Sequence, residues 1–475
     1  MSRRSHRRRH LAAALILGPA ALLPIRAEAE TGAAKERVVT VFSNGLGQVW
    51  EHRVLTPATG PRDIVLDGIS KRALAESVSL AGTAGDLTVR SISLDTNLLT
   101  PDRLLRAYLG KQVGVVKTHP TTGEERIVPA TVVSLAGGVV LRMDGRLVTG
   151  MPGRLAFPDD TQGMVTSPTL TASIEAGSGT DGLLLSYMTD GLDWRADYTA
   201  TLAADGKAMR IEAWATVENG TGVDLDADRL RLVAGQVNRP PQPRPVAKTM
   251  RMTAGPEAAM DAAGALPLRE AVGAVHVYTV AGAVTLPAEG RKQLALLAPV
   301  TVPVTETLIA TGNPPVFGPQ RGEMAAAHPE VRLSFANTAL VPGGLPLPAG
   351  TLRVYRVGGE GPPLFSGADQ LPDTPDGEVA EISLGRAFDV TLRREQTAFK
   401  RLDAQGRNVE AAFRIELKNG RGAPARVRLE ENLPGDWTVA EASQPHARSG
   451  SRAVWTVEVP AKGSKVLTYK VRVAR

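Results

Sequence analysis

The chain contains no cysteine among its 475 residues. This absence excludes disulfide bonds, a thiol nucleophile, thiolate-bound zinc or iron, and the lipidated cysteine of a bacterial lipoprotein. Aromatic residues make up only 4% of the chain. Beyond the N-terminal region, no segment has the roughly 20 consecutive apolar residues that a membrane-spanning helix needs. We therefore expect a soluble mature protein without an integral membrane segment, stabilised by ordinary hydrophobic cores.

Residues 1–29 have the features of an export signal. The basic head holds Arg3, Arg4, Arg7, Arg8 and Arg9. The apolar run from Leu11 to Ile25 is interrupted by glycine and proline and is too short to span a bilayer, and small residues at Ala27 and Ala29 suit a cleavage site. We expect cleavage after Ala29 and a periplasmic or secreted product. General secretion is favoured, and a twin-arginine route stays open.

The charge balance argues against a nucleic-acid partner. The chain has 55 Lys plus Arg and 49 Asp plus Glu, and residues 1–29 hold six Arg and one Glu. After cleavage 49 basic and 48 acidic residues remain, so the net charge is about +1. No window forms the basic stripe that nucleic-acid binding would require.

Short β-branched runs separated by glycine and proline dominate the sequence and predict an all-β, multi-domain fold with few helices. The clearest strands are Val38–Phe42, Leu87–Ile92, Leu183–Tyr187, Val331–Phe335 and Ala453–Val457. In Met209–Val217 the apolar residues alternate with Glu212, Trp214 and Thr216, as in a sheet with one buried face. One helix is expected at about 100–110, where Thr100 can cap it, Leu104, Leu105, Tyr108 and Leu109 share a face, and Gly110 can end it.

These patterns predict three domains after the signal peptide. Residues 36–160 form an N-terminal β domain with the short helix and a small barrel at about 111–157. Residues 165–394 form a central β-sandwich, interrupted at 238–265 by a disordered linker that begins with the proline-rich run Arg239–Pro245. Residues 395–475 form a C-terminal immunoglobulin-like β-sandwich.

No motif indicates a metal site. Five histidines follow the cleavage site: His52, His119, His276, His328 and His446. They are isolated and lack zinc-site spacing, so surface or edge-strand roles are favoured, although clustering in space stays open. The carboxylates of Asp224–Asp228 resemble a calcium loop, but Arg229 and Gly235 occupy positions where a helix-loop-helix calcium site needs glycine and glutamate. We expect no metal and no other cofactor.

Motifs for catalysis are equally weak. Gly177–Gly182 has dinucleotide-type glycine spacing, but a strand follows it, so a hairpin turn is favoured. No serine elbow, Ser-x-x-Lys pair or phosphate loop occurs in the sequence. Carboxylates that converge only in space stay open, which keeps a hydrolase of cell-surface glycan or peptide as an alternative. Most tryptophans are expected in cores, and Trp437 is the best candidate for exposure.

Several segments are similar to those of one family of secreted proteins. They are Leu185–Tyr198, Val217–Gly222, Leu345–Tyr355 and Leu384–Thr391, together with Gly45–Gly47 and Leu104–Gly110. The chain resembles the mucoidy-inhibitor-like secreted proteins, whose shared domain is of unknown function (DUF4139). The resemblance implies a β-rich exported protein without an established activity. The N-terminal region does not clearly show the coiled-coil-bearing domain of the longer relatives.

Taken together, these patterns name no catalytic, cofactor-binding or metal-binding residue. We predict a non-catalytic exported envelope protein that binds or scaffolds envelope proteins or surface polysaccharide through loops or open sheet edges. The sequence does not determine its oligomeric state.

Overall fold

The computed structural model of the chain describes residues 30–31, 34–84, 86–235, 237–238, 268–272, 275–320, 322–340, 346–358 and 361–475. The expected export signal lies outside the described residues, as does all of the expected linker except Asn238. The described part is nearly all β, with one α-helix and several sheets, which confirms the predicted all-β fold with few helices.

The strands in the first part of the chain are β1 (Glu30–Thr31), β2 (Ala34–Phe42), β3 (Leu46–Val54), β4 (Gly60–Leu66), β5 (Ser79–Gly82), β6 (Leu87–Asp95), β7 (Gln112–Thr118), β8 (Glu125–Ser134), β9 (Val140–Met143), β10 (Arg146–Thr149), β11 (Arg154–Ala156), β12 (Thr169–Ala176), β13 (Gly182–Asp190), β14 (Leu192–Leu202), β15 (Ala208–Asn219), β16 (Leu225–Ala227) and β17 (Arg229–Ala234). The helix α1 (Pro101–Ala107) lies between β6 and β7.

The remaining strands are β18 (Leu268–Val272), β19 (Val275–Thr279), β20 (Val284–Leu286), β21 (Gly290–Pro303), β22 (Thr305–Gly312), β23 (Glu330–Ala336), β24 (Gly350–Arg356), β25 (Leu364–Leu371), β26 (Val379–Arg386), β27 (Val390–Arg401), β28 (Asn408–Asn419), β29 (Ala425–Asn432), β30 (Asp436–Ala442), β31 (Ala447–Ser449), β32 (Arg452–Val459) and β33 (Ser464–Ala474). Two single 3-10 turns lie at Ala75–Ser77 and Asn337–Ala339.

The chain divides into two compact units, and the smaller one contains β1, Val54–Asp67 and Ala81–Leu183. It holds a four-stranded sheet in the order β1-β4-β12-β6 and a five-stranded sheet in the order β10-β9-β8-β7-β11. The small barrel expected at about 111–157 corresponds to this five-stranded sheet. Its outer strands β10 and β11 pair only with their inner neighbours, so no closed barrel is detected among the described strands.

The helix α1 forms within the predicted range of about 100–110 and packs on the five-stranded sheet. Thr100 is the N-cap, and its hydroxyl accepts a hydrogen bond from the backbone N–H of Arg103 at 3.3 Å. Leu105 and Tyr108 are buried against β7, β8 and β9. Leu109 was expected on the same buried face but is 51% exposed, because the helix ends at Ala107 and the chain has left helical geometry by Leu109.

The larger unit contains Ala34–Arg53, Gly68–Leu80 and Leu184–Arg475. Its first core lies mainly between a seven-stranded sheet, in the order β18-β19-β17-β2-β3-β13-β5, and a five-stranded sheet, in the order β21-β15-β14-β24-β25. The hairpin of β2 and β3 comes from near the N-terminus, yet it lies in the middle of the seven-stranded sheet, between β17 and β13. Its residues Val39, Val41 and Val49 are fully buried.

A second core lies near the C-terminus of the larger unit. It is enclosed by a six-stranded sheet, in the order β26-β23-β22-β29-β32-β31, and a four-stranded sheet, in the order β27-β28-β33-β30. Trp455 is fully buried here, as its strand alternation predicts. Trp437 was expected to be exposed, and this prediction is wrong. It is 3% exposed because β30 pairs with β33 and turns the indole toward the core. The guanidinium of the exposed Arg448 lies over the ring, 4.4 Å from its centre.

The two cores are surrounded by the same arrangement of strands. In each core, three antiparallel strands lie side by side within one of the two sheets. These are β14, β15 and β21 in the first core and β27, β28 and β33 in the second. In each core, a strand that follows the central one pairs in parallel with a strand from outside the trio. In the first core this is β17, which comes after the short β16 and pairs with β2, and in the second it is β29, which pairs with β22. The turns before β21 and β33 match as well, with positive φ at Glu289 (54°) and Lys462 (50°). This correspondence is the pattern expected of an internal duplication.

The correspondence extends to one buried side chain in each core. Asn219 donates from Nδ2 to the carbonyl oxygens of Val223 (2.9 Å) and Leu286 (2.8 Å). Asn419 donates from Nδ2 to the carbonyl oxygens of Ala423 (2.9 Å) and Val459 (3.3 Å). Both asparagines are 2% exposed. Each therefore donates to one carbonyl group of a buried residue, Leu286 or Val459, and to a second carbonyl group nearer the surface.

We expect Asn219→Ala and Asn419→Ala to lower the free energy of unfolding by similar amounts, about 1–3 kcal/mol each, because each leaves a buried carbonyl group without its side-chain donor. Urea unfolding of the full chain measures the loss. Asn432→Ala is the matched control, since Asn432 is exposed, and it should change stability by less than about 0.5 kcal/mol. A neutral result at either buried position would contradict the proposed equivalence.

The second core also contains a buried ion pair. Glu431 is fully buried, and its Oε1 accepts a hydrogen bond from Nε of Arg394 at 2.8 Å. The Tyr469 hydroxyl lies 3.5 Å from the other carboxylate oxygen. Burial raises the pKa of Glu431 above its usual value, and the nearby Arg394 charge only partly opposes this. Burial, and then the Glu431 charge, raise the pKa of Tyr469.

Candidate functional site

Strand β14 is where the segments that carry the family resemblance meet. Trp194 donates from its indole N–H to the carbonyl oxygen of Val233 at 3.0 Å, and the Tyr198 hydroxyl donates to the carbonyl oxygen of Pro348 at 2.8 Å. Gly350 must be glycine, since a Cβ there would clash with the carbonyl oxygen of Ala196 in the neighbouring strand. These residues therefore hold β14 against β17 and β24.

A polar network covers the outward face of the same strand. Asp197 accepts hydrogen bonds from the Thr216 hydroxyl (2.7 Å) and from Arg353 (3.0 Å). Arg195 lies 3.5 Å from Asp197 and donates to Glu218 at 2.8 Å. This hydrogen bond raises the pKa of Arg195, so the guanidinium stays charged. The motif charges are thus paired with one another rather than left available as a catalytic acid and base.

A cavity of about 560 Å³ opens at the N-terminal end of β14. Its polar lining includes Ser43, Asn44, Arg195, Asn238 and Asp373. The β2–β3 turn supplies Ser43 and Asn44, the start of β14 supplies Arg195, and the chain after β17 supplies Asn238. The volume lies within the range of about 300–1,000 Å³ that is typical of ligand sites.

Polar groups in this cavity keep hydrogen-bonding capacity that the described residues do not use. Asp373 accepts from the backbone N–H of Ala349 through Oδ1 at 2.7 Å, which leaves Oδ2 for a ligand. Asn44 makes one long contact, from Nδ2 to the carbonyl oxygen of Val237 at 3.5 Å. Asp373 is the only carboxylate among the described residues of the cavity wall. A polyhydroxylated ligand would meet both donors and acceptors there.

None of the five histidines considered in the sequence analysis is among the described residues that line this cavity. His52 is half-buried on β3, and His276 is exposed on β19. Nδ1 of His119 accepts backbone hydrogen bonds in its own turn, and His328 contacts the carbonyl oxygen of Ala387 at 2.9 Å. His446 lies between Trp437 and Trp455. In the described ranges, no group of three or more His, Asp or Glu side chains is arranged to hold a metal ion.

The calcium-loop-like segment Asp224–Asp228 and the glycine-rich segment Gly177–Gly182 have structural roles. Asp224, Asp226 and Asp228 accept hydrogen bonds from Ala288, Thr285 and Arg37 respectively, each at 2.7 Å, so they connect strands. Gly177–Gly182 was expected to be a hairpin turn. It is a turn, but it joins β12 and β13, which belong to different sheets, so the hairpin prediction is wrong.

Sequence reasoning missed the residues that line the cavity. Asn44 and Asp373 are more than 300 positions apart and neither belongs to a chemical motif. The signal that was available is the resemblance itself. Two of its segments, Leu185–Tyr198 and Leu345–Tyr355, contribute Arg195 and Ala349 to the wall.

The fold and the cavity define a class: an all-β protein with a polar cleft built from turns and strand ends. No helix in the described ranges is both long enough and apolar enough to cross a membrane. The family described as "Domain of unknown function (DUF4139)" matches residues 183–474, and the chain belongs to this family. The predicted DUF4139 resemblance is therefore confirmed. No curated protein matches the chain.

Proposed function

We propose that the protein is an exported, non-catalytic binding protein of the cell envelope, and that its polar cavity binds a segment of surface polysaccharide. The observation that carries the proposal is the cavity itself. Its walls combine hydroxyl, amide, guanidinium and carboxylate groups with small residues such as Ala349 and Gly235. Such a lining suits the hydroxyl groups of sugars better than the apolar side chains of a peptide.

The same lining favours binding over hydrolysis. Glycoside cleavage requires two carboxyl groups on either side of the bond that breaks, about 5–10 Å apart. Among the described wall residues Asp373 is the single carboxylate, and the nearby Asp197 is engaged by Thr216 and Arg353. This supports binding without turnover.

The test is titration calorimetry of the full chain with surface polysaccharide fractions and peptidoglycan fragments, with product analysis in parallel. We expect saturable binding to polysaccharide and no turnover. Asn44→Ala and Asp373→Asn should each weaken binding about fivefold, equivalent to one hydrogen bond of about 1 kcal/mol. Asp373→Asn keeps the acceptor for Ala349 and removes the charge.

Asn432→Ala is the control for these variants, because Asn432 is exposed on β29 and takes no part in the cavity wall. It should bind as the parent does. Turnover of any glycan or peptide would support the hydrolase alternative. A complete absence of saturable binding would contradict the proposal.

Two finer features are part of the same proposal. We infer that the C-terminal pair of sheets around Trp455 is immunoglobulin-like, a scaffold that commonly presents binding loops. The basic and apolar N-terminal residues support export by a cleaved signal. Intact-mass analysis of protein from its native host tests this second feature, with Glu30 as the expected first residue.

A further inference from the structure

A groove of about 310 Å³ lies on the outward face of the β2–β3 hairpin and β17. It is lined by Val38, Thr40, Gln48, Trp50, Arg229 and Arg231, and Glu36 lines it beside Arg229. Alternation along the strands turns these side chains away from the core, while Val39, Val49 and Leu230 point into it. Because the hairpin lies beside β17, residues from the N-terminal part and from the middle of the sequence meet in one groove.

The strand register gives the groove two different walls. Trp50 pairs with Val38 across the hairpin, and Arg229 pairs with Val38 from the other side. The backbones of Trp50 and Arg229 are thus two strand spacings apart, about 10 Å. Arg231 lies in the next row, beside Thr40. The groove therefore has an aromatic wall and a guanidinium wall, with Val38 and Thr40 of β2 between them.

Both walls have unused binding capacity. Arg229 approaches a carboxylate oxygen of Glu36 only at 3.9 Å, and Arg231 forms no ion pair with any described residue. Within the part of the chain that the structure describes, no cationic side chain stacks on the Trp50 ring, whereas Arg448 stacks on Trp437. Gln48 donates weakly to Ser186 at 3.4 Å, so its carbonyl oxygen is available.

We propose that this groove binds an acidic sugar residue, such as a uronate, of a polysaccharide. The apolar C–H face of the sugar ring packs on the half-buried Trp50 indole, because C–H groups are attracted to the negative face of an aromatic ring. The sugar carboxylate pairs with Arg231 and Arg229, whose planar guanidinium groups match a carboxylate geometrically. Ring hydroxyls reach Thr40 and Gln48.

This inference rests on the proposed polysaccharide-binding function and adds a second contact to it. Ser43 in the polar cavity is three residues beyond Thr40 along the same hairpin, about 10 Å of extended chain. Such a separation is short relative to a polysaccharide chain, so one polymer is able to contact both sites.

The probe is a defined oligogalacturonate, compared with the same oligosaccharide after reduction of its carboxyl groups. The full chain should bind the acidic form more tightly and lose affinity as salt increases. Trp50→Ala should weaken binding of both forms about tenfold, the upper end of an aromatic contact. Arg231→Gln should weaken only the acidic form, also about tenfold, since one charge-assisted hydrogen bond is lost.

Matched controls are Trp214→Ala, a half-buried tryptophan on the other sheet, and Arg426→Gln, an exposed arginine on β29, the strand that corresponds to β17. Both should bind like the parent. If polysaccharides bind but Trp50→Ala and Arg231→Gln have no effect, the groove is not the site and the polar cavity stands alone. If no glycan binds, the proposed function fails together with this inference. Tighter binding of an oligonucleotide of equal charge would overturn the assignment to a sugar.

Discussion

A fragment spanning residues 183–475, which contains the whole matched family region, should fail to unfold cooperatively in urea, whereas the full chain should show a cooperative transition. The fragment lacks the β2–β3 hairpin, which lies between β17 and β13 in the middle of a sheet. Without the hairpin, β17 and β13 each lose the hairpin strand that pairs with them, and one side of the core is open to water.

The expected effect is large relative to protein stability. The hairpin buries Val39, Val41, Leu46 and Val49, each at most 6% exposed. Burial of one such side chain stabilises a fold by about 1.5–3 kcal/mol, so these four contribute roughly 6 kcal/mol or more. Whole domains are stable by only about 5–15 kcal/mol.

Point variants in the full chain distinguish the hairpin from the other segments that the fragment lacks. Val41→Asp places an unpaired charge in the core and should cost about 4 kcal/mol or more. Thr40→Asp, on the outward face of the same strand, should cost less than about 1 kcal/mol. A fragment that unfolds cooperatively at the same urea midpoint as the full chain would show that the hairpin is dispensable.

Arg394→Met should be among the most destabilising single substitutions in the C-terminal core, at about 3–5 kcal/mol, because it leaves the Glu431 carboxylate buried without a partner. The double variant Arg394→Met/Glu431→Leu should recover most of that loss, since no buried charge is left uncompensated. Urea unfolding of both variants and of the parent measures the difference.

Arg393, which precedes Arg394 in the chain, provides the control for Arg394→Met. Arg393 pairs with Glu323 at 3.0 Å, but both side chains are about half exposed, so Arg393→Met should cost less than about 1 kcal/mol. Equal losses for Arg393→Met and Arg394→Met would contradict the argument from burial.

The raised pKa of Glu431 adds a pH signature to this prediction. The folded state holds the Glu431 proton more tightly than the unfolded state, in which the carboxyl has its ordinary pKa near 4.5. The resulting stabilisation, relative to Glu431→Gln, is fully present below pH 4.5 and is lost as the pH rises through the raised pKa. The parent should therefore lose stability relative to Glu431→Gln as the pH rises through the raised pKa.

Several local features could be read directly from the residues. Alternation in Met209–Val217 predicted which side chains of β15 enter the core, and Ile211, Ala213, Ala215 and Val217 are all buried. The Thr100 cap and the burial of Trp455 were predicted for the same kind of reason. In each case the determining interactions lie within a few residues, where the backbone period itself fixes which face a side chain occupies.

The candidate sites were predictable only in part. The resemblance indicated the segment that contains Arg195, but it did not indicate that this segment meets Asn44 and Asp373 at one cavity. Trp50 and Arg231 each occupy an outward position in an alternating strand. Their meeting depends on the parallel pairing of β2 with β17, between residues about 190 positions apart.

The sequence by itself determined the family, the β-rich fold class and the inward and outward faces of most strands, because these depend on composition, motif order and the two-residue period of a strand. The tertiary structure alone decided which strands are neighbours: the central position of the β2–β3 hairpin, the burial of Trp437 and the pairing of Glu431 with Arg394. Strand pairing over long separations is selected by the total burial of the finished core, and no local run of residues carries that information.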